Sequence, residues 1–128
     1  MKFVTDTQCL FWYFRNNPRL SPTSKRMFEA SEDQRQIIIP IIVLAELLYL
    51  SRKYPLPLSF SEAIAYLKEE IRFDIQPLSL DILQKSVSLT QFEIHDALIV
   101  ATTLHLDLPL MTSDQKIIDS GVVQTLRP

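Results

Sequence analysis

The sequence predicts an α/β fold, a three-layer sandwich in which a parallel five-stranded sheet is flanked by helices. Short apolar runs alternate along the chain with segments of helical periodicity, as in folds whose strands are joined by helices. The predicted strands are largely apolar on both faces, which is typical of parallel strands that are covered on both sides. With 128 residues and 47% hydrophobic side chains, the chain is predicted to form a single domain, residues 1–128.

The strands are predicted from short apolar runs that stop at a polar residue or a proline. The first run ends at Asp6, and the three isoleucines at 37–39 are bounded by Pro40, which suits a buried central strand. The stretch before Pro77 alternates between apolar and polar residues. The five predicted strands are residues 2–5, 37–39, 73–77, 108–111 and 122–126.

The helices are predicted from capping signals and from apolar residues at helical spacing. Ser21 and Pro22 have the form of an N-cap followed by proline at the first helical position, and Ser59 with Glu62 matches a capping box. A polar stretch, residues 31–36, follows the second helix. The predicted helical segments are residues 9–14, 22–30, 42–51, 60–72, 80–88, 95–106 and 115–119.

Composition excludes several classes of protein. A single glycine, Gly121, cannot build the glycine-rich phosphate loops of nucleotide-binding proteins. The longest apolar run, residues 41–50, is interrupted by Glu46 and is too short to span a membrane. Cys9 is the only cysteine and no secretory signal is visible, so we expect a cytoplasmic protein without disulfides.

Four acidic residues are candidates for a functional site. Ligands of parallel sheets bind beyond the carboxyl ends of the strands, and Asp6 and Asp114 follow two predicted strands. Glu46 and Asp96 lie on apolar helix faces that are predicted to face the core and that carry no Lys or Arg. If the four carboxylates converge, their repulsion favours a hard divalent cation such as Mg²⁺ or Mn²⁺. Such a site activates water against a phosphodiester, which is the chemistry of a nuclease.

Each acid also has an ordinary structural explanation. Asp6, Asp96 and Asp114 stand just before predicted helical segments, where acids act as N-caps or interact with the helix dipole. Glu46 could pair with a distant Arg in the folded protein. Structural or surface roles are also the simpler expectation for three further residues, namely Cys9, His95 and His105.

Net charge alone argues against a nucleic-acid partner. The chain has 13 basic and 15 acidic side chains, giving a charge of −2 instead of a basic excess. If the four candidate acids bind metal, however, the rest of the chain is slightly positive. The basic residues that could then follow an RNA backbone, or that simply form a solvated helix surface, are Arg15, Arg19, Lys25 and Arg26.

Four short motifs around these acids resemble those of bacterial PIN domains of the VapC toxin type. They occur in the family's order over essentially the whole chain, with intervals of 40, 50 and 18 residues between the acids. The third motif is the most specific. The motifs are Asp6-Thr7, Leu44-Ala45-Glu46-Leu47, Glu93-Ile94-His95-Asp96-Ala97-Leu98-Ile99-Val100-Ala101-Thr102 and Leu110-Met111-Thr112-Ser113-Asp114.

The resemblance implies a PIN fold and the activity of a Mg²⁺- or Mn²⁺-dependent endoribonuclease. Asp6, Glu46, Asp96 and Asp114 match the family's acidic quartet, so its metal-binding and catalytic roles are expected at these positions. Toxins of this family usually form homodimers. They are inhibited by a cognate antitoxin, whose C-terminal segment lies across a groove near the active site.

Two threonines match the motifs, and three other residues depart from them. Thr7 and Thr112 are expected to support the acids, and Thr112 could also orient a water molecule. Gln8 stands where the family commonly has Asn, and Pro40 and Val43 replace small polar residues. Because the acids are retained, these departures put the rate and the substrate fit in question more than the metal site itself.

The apolar segment 9–14 suggests a contact with a partner. It is apolar on every side of a helix, so the sheet can cover only one face, and a dimer or antitoxin contact would cover the rest. Trp12 and Tyr13 are residue types that anchor such interfaces. The equally common alternative is that this aromatic segment belongs to the core.

Two functions other than a metal-dependent ribonuclease are consistent with parts of the pattern. A PIN-like module that binds RNA or protein without cutting would account for Gln8 and the altered second motif, but the intact acids argue against it. A phosphotransferase with Asp6 as nucleophile normally needs a second Asp two residues later and a catalytic Lys, whereas position 8 is Gln.

Overall fold

The structure, a computed structural model, describes residues 1–30 and 35–128, and this part of the chain forms five strands and seven helices. Residues 31–34 of the predicted polar stretch lie outside the described residues. The strands are β1 (Phe3–Thr5), β2 (Ile37–Pro40), β3 (Phe73–Gln76), β4 (Leu110–Met111) and β5 (Thr125–Leu126). The helices are α1 (Thr7–Phe14), α2 (Pro22–Glu29), α3 (Ile41–Lys53), α4 (Phe60–Glu69), α5 (Leu80–Ser86), α6 (Ile94–Leu106) and α7 (Gln115–Ser120).

The five strands form one parallel sheet in the order β3-β2-β1-β4-β5. The first three strands extend the sheet in one direction, and β4 returns to the other side of β1. Because connections between parallel strands are right-handed, this reversal places α1–α4 on one face and α5–α7 on the other. Every residue of β1, β2 and β4 is buried, as expected for strands covered on both faces. The predicted α/β sandwich with a parallel five-stranded sheet is confirmed.

Several predicted element boundaries are wrong by a few residues. α4 keeps its capping box between Ser59 and Glu62 but ends at Glu69, three residues before the predicted end. The early end releases Arg72, whose backbone carbonyl accepts a hydrogen bond from Ile37 N at 2.9 Å at the start of β2. β5 begins at Thr125 instead of residue 122, because the residues after Gly121 pack against the core as a loop.

The helix α1 is covered by its own chain. Cys9 and Leu10 are fully buried, and Phe11 and Trp12 are each 8% exposed. Tyr13 stacks on Phe28 of α2 with ring centroids 4.9 Å apart. The segment 9–14 therefore belongs to the core, as the alternative prediction had it. The expectation that a partner must cover this segment is wrong. Within the described residues, no helix is long and apolar enough to cross a membrane.

A buried arginine connects three helices, α1, α2 and α4, on the α1–α4 side of the sheet. The guanidinium of Arg72 donates to the carbonyl of Phe28 and to the Glu70 carboxylate, each at 2.6 Å. It also donates to the hydroxyls of Tyr66 and Tyr13, which bond to each other at 2.7 Å. All of these polar groups satisfy one another, so removal of the arginine leaves several of them unpaired.

We expect Arg72→Met to destabilise the protein by about 2–4 kcal/mol, because the Phe28 carbonyl and two tyrosine hydroxyls lose their charged donor. Urea denaturation measures the change. The matched control is Arg35→Met, which removes an ion pair of 3.5 Å to Asp74 from a side chain that is 69% exposed. The control should change stability by less than about 0.5 kcal/mol, and an equal loss in both variants would contradict the role of the buried network.

Candidate functional site

The four predicted acids line one cleft at the carboxyl edge of the sheet. Asp6 follows β1 directly, and Asp114 follows the neighbouring strand β4 after two residues. Glu46 comes from α3, which begins directly after β2, and Asp96 comes from the first turn of α6. The cleft has a volume of about 710 Å³ and also exposes Tyr49 and other apolar side chains of α3 and α6.

Asp6 is both a helix cap and a wall of the cleft. Its Oδ1 accepts a hydrogen bond of 2.8 Å from the backbone N–H of Cys9, which caps α1. The residue is only 8% exposed, and burial raises the pKa of its carboxyl group. Hydrogen bonds from Cys9 and from the hydroxyl of Thr112 act in the opposite direction, and the charge of Asp114 raises the pKa further. The capping explanation is therefore correct and compatible with a place in the site.

Asp114 repeats this arrangement at the next strand. Its Oδ1 accepts from the backbone N–H groups of Lys116 at 2.9 Å and Ile117 at 3.4 Å and so caps α7. The Thr112 hydroxyl oxygen accepts from Asp114 N at 3.0 Å. Thr112 is fully buried, and its hydroxyl contacts both the backbone of Asp114 and the carboxyl group of Asp6.

The prediction that Glu46 faces the core is wrong, because the face of α3 that carries it lines the cleft. The neighbouring Tyr49 on this face is 56% exposed. The hydroxyl of Thr7 donates a hydrogen bond of 2.6 Å to Glu46 Oε1, and His95 Nδ1 lies 3.7 Å from Oε2. The alternative in which Glu46 pairs with a distant Arg is wrong, since the described residues place His95, and no Arg, within 4.0 Å of its carboxylate.

The pKa of Asp96 is raised by burial and by the other acids around the cleft. Asp96 is preceded by the N-cap Glu93, whose carboxylate accepts from the N–H groups of His95 and Asp96. Burial raises the pKa of Asp96 to about 6, and the charges of Asp114, Glu46, Glu93 and Asp6 add to this rise. Carboxylates from four separate elements therefore act on this one carboxyl group.

The donor set of the cleft fits a hard divalent cation. Among the described residues that line it, none is Lys or Arg, so the negative charge of the four acids has no fixed counter-charge beside it. Within residues 1–30 and 35–128, no three ligand-type side chains are grouped closely enough to hold an ion as they stand. Mg²⁺ and Mn²⁺ prefer oxygen ligands such as these carboxylates.

Other residues at the cleft were only partly anticipated from the sequence. His95 is exposed, as expected for a surface histidine, but it also lines the cleft and contacts Glu46 and Glu93. Gln8 also lines the cleft, in the position where the departure from the motif was noted. Val43 is fully buried away from the cleft, and Pro40 ends β2 and precedes α3.

The predicted RNA-tracking cations do not line this cleft in the described chain. Lys25 donates to Asn16 at 2.7 Å and lies 4.0 Å from Glu29, so its charge is partly neutralised. Arg15 lies over the Phe11 ring at 5.3 Å. These contacts favour the alternative of a solvated helix surface for the set Arg15, Arg19, Lys25 and Arg26.

Comparison with known proteins gives one family and a group of similar structures. The model of the PIN domain family matches residues 3–121. A toxin–antitoxin complex from Klebsiella pneumoniae contains a chain of similar fold, with a TM-score of 0.75, 25% identity, and coverage of 99% of this chain and 98% of that chain. No curated protein sequence matches the chain.

Two further solved structures share the fold at lower sequence identity. VapBC2 from Rickettsia felis, bound to a promoter DNA fragment, has a TM-score of 0.75 and 19% identity, covering 100% of this chain and 99% of that chain. VapC20 from Mycobacterium tuberculosis, described as a Sarcin-Ricin loop cleaving toxin, has a TM-score of 0.71 and 16% identity, covering 99% and 100%. The similarity thus extends over almost the full length of both chains.

We expect Asp96→Asn to stabilise the metal-free protein at neutral pH. The pKa of Asp96 rises from 3.8 to about 6 in the folded state. The contribution of Asp96 to the free energy of unfolding is therefore complete below about pH 4 and is lost as the pH rises through 6. Asn cannot ionise and avoids this loss. With solvent screening allowed for, the melting temperature should rise by about 3 °C at pH 7.5, and the difference should shrink towards pH 5.

Thermal denaturation in the presence of a chelator, at several pH values between 5 and 8, measures this difference. Asp119→Asn is the matched control, because Asp119 is exposed and, among the described residues, its side chain bonds only to Gln115 on its own helix. Equal shifts for the two variants at every pH would show that the charges of the cleft do not strain the folded state.

Proposed function

The chain belongs to the PIN domain family, and on this basis we propose that it is a metal-dependent endoribonuclease, the toxin of a type II toxin–antitoxin module. The observation that carries the proposal is the meeting of Asp6, Glu46, Asp96 and Asp114 in one cleft with no Lys or Arg among its described lining residues. A site with uncompensated carboxylates is stabilised by a divalent cation, which a nuclease of this type needs.

The same four residues would hold Mg²⁺ or Mn²⁺. When bound, such an ion lowers the pKa of a water molecule and neutralises charge on the phosphodiester. Asp6 and Asp114 are held at neighbouring strand ends by helix capping and by Thr112, so their carboxylates keep fixed positions. Glu46 and Asp96 come from helices on the opposite sides of the sheet and complete the set.

Thr7 fixes the orientation of Glu46, and His95 lies beside the same carboxylate. The 2.6 Å hydrogen bond from Thr7 occupies Oε1, while Oε2 lies 3.7 Å from His95 Nδ1. His95 is half-exposed at the cleft, so its imidazole can donate to a phosphate oxygen of an RNA strand that enters there. In this proposal the carboxylates bind and orient, and His95 contacts the substrate.

The proposed partners are RNA as substrate and a cognate antitoxin that covers the cleft. Similar folds occur in a toxin–antitoxin complex and in VapBC complexes, which supports this assignment. We also propose that the chain acts as a single domain over residues 1–128, as a homodimer and in the cytoplasm. The family match over residues 3–121 supports the domain assignment.

Phosphotransfer through Asp6 is disfavoured by the same geometry. Oδ1 of Asp6 accepts the hydrogen bond that caps α1, position 8 is Gln instead of a second Asp, and no Lys is among the described residues that line the cleft. The binding module that does not cut RNA is the second candidate, because Gln8 lines the cleft next to Asp6 and Thr7. The experiment below separates it from the nuclease.

We expect the purified, partner-free chain to cleave total cellular RNA with Mg²⁺ or Mn²⁺ and to stop when a chelator is added. Asp96→Asn, prepared identically, should lose at least about 100-fold in rate, the order of loss when one preorganised electrostatic group is removed. Gel analysis of the RNA measures both effects, and the variant excludes a contaminating nuclease. If the folded wild-type chain binds Mn²⁺ and RNA without cutting the RNA, the nuclease is refuted and the binding module is supported.

A second prediction concerns Thr7. Thr7→Val keeps the shape of the side chain but removes the donor to Glu46 Oε1, so the carboxylate is free to rotate. We expect the Mg²⁺ concentration for half-maximal cleavage to rise about tenfold, as for other residues that orient metal ligands. Titration of the cleavage rate with Mg²⁺ measures the shift.

Thr7→Ser restores the hydroxyl and is the control for this effect. It should remain within about threefold of the wild type. Melting temperatures that agree among the three proteins would exclude a general loss of structure. An unchanged Mg²⁺ dependence in Thr7→Val would refute the orienting role.

A further inference from the structure

The face of α3 that carries Glu46 continues out of the cleft through Tyr49 and Lys53. These residues are three and seven positions after Glu46, so they follow one another along the same side of the helix. Tyr49 lines the cleft together with Glu46 and lies about 4.5 Å further along the helix axis. The ammonium of Lys53 lies 4.8 Å from the centroid of the Tyr49 ring.

Packing against other aromatic rings of the described residues does not explain the position of Tyr49. It is 56% exposed, and in the described part of the chain no other aromatic ring pairs with it. Tyr54, at the end of the same helix, is exposed to a similar extent, 54%, but packs against Phe11 with ring centroids 6.4 Å apart. Tyr13 and Tyr66 belong to the buried Arg72 network.

We propose, resting on the nuclease function above, that Tyr49 stacks on an unpaired RNA base beside the scissile phosphate and that Lys53 pairs with the adjoining phosphate. Stacking on an exposed aromatic side chain requires a base that is not paired in a duplex. The substrate class that follows is single-stranded RNA or a loop.

The chemistry of this pair favours a nucleotide over an apolar peptide. A nucleotide combines an aromatic face with a phosphate, and so provides a partner for both the ring and the ammonium. An apolar peptide on Tyr49 would remove the ammonium of Lys53 from water without a partner, which is unfavourable. Lys53 also adds a positive charge beyond the four acids, which attracts the RNA backbone next to the cleft.

Binding is measured in the Asp96→Asn background with Mg²⁺, where the RNA stays intact, by fluorescence anisotropy of a labelled random-sequence single strand of 12 nucleotides. Tyr49→Leu should weaken binding about tenfold, and Tyr49→Phe should stay within about twofold, since the ring is retained. Lys53→Met should weaken binding. It should also reduce the slope of log affinity against log salt concentration by about one, the value for one lost phosphate contact. Binding of a duplex of the same length should not respond to Tyr49→Leu.

Tyr54→Leu is the matched control and should bind RNA within about twofold of the parent protein. The proposal is overturned if Tyr49→Leu binds as the parent does, if Tyr49→Phe is as weak as Tyr49→Leu, or if duplex binding falls equally. Cleavage of total RNA by the wild type tests the nuclease separately. RNA binding that depends on Tyr49 in a chain that does not cut would support the stacking role and refute the nuclease, whereas no binding and no cutting would refute both.

Discussion

The pairing of β1 with β4 is the constraint on which the candidate site depends. These strands are neighbours because the chain crosses back over the sheet after β3, and their carboxyl ends then meet at one edge. The backbone N–H of Asp6 donates to the carbonyl of Met111 at 3.2 Å, so the residue after β1 is attached to β4. Asp6 and Asp114 thereby become neighbours although they lie far apart in the sequence.

Asp6 and Asp114 serve both as helix caps and as walls of the cleft. In Asp6 and Asp114, Oδ1 accepts backbone hydrogen bonds at the start of a helix. These bonds hold the acids in place without neutralising them. The negative charge of the cleft therefore remains, and it adds to burial, the larger cause, in raising the pKa of Asp96. A folded protein that keeps such repulsion gives up stability that it would regain by binding a cation.

The class of fold, and the presence of the four acids in one cleft, follow from local patterns that the sequence shows. Apolar runs, capping boxes and the spacing of Asp6, Glu46, Asp96 and Asp114 are all readable within short windows. The end of α4 was not predictable in this way, because Arg72 leaves the helix to bond with Phe28, which is 44 residues away. The orientation of α3 was missed for the same reason: the packing of distant elements decides that the face with Glu46 and Tyr49 borders a cleft.

The only cysteine of the chain lies under this site. Cys9 is fully buried, burial raises the pKa of its thiol, and its Sγ lies 3.6 Å from the carbonyl of Met111. Because the thiolate is the form that reacts, the native protein is protected from alkylation and oxidation. The rate at which this thiol reacts therefore measures how often α1 opens away from β4. A cysteine introduced at the surface can be labelled selectively, because Cys9 does not react in the folded protein.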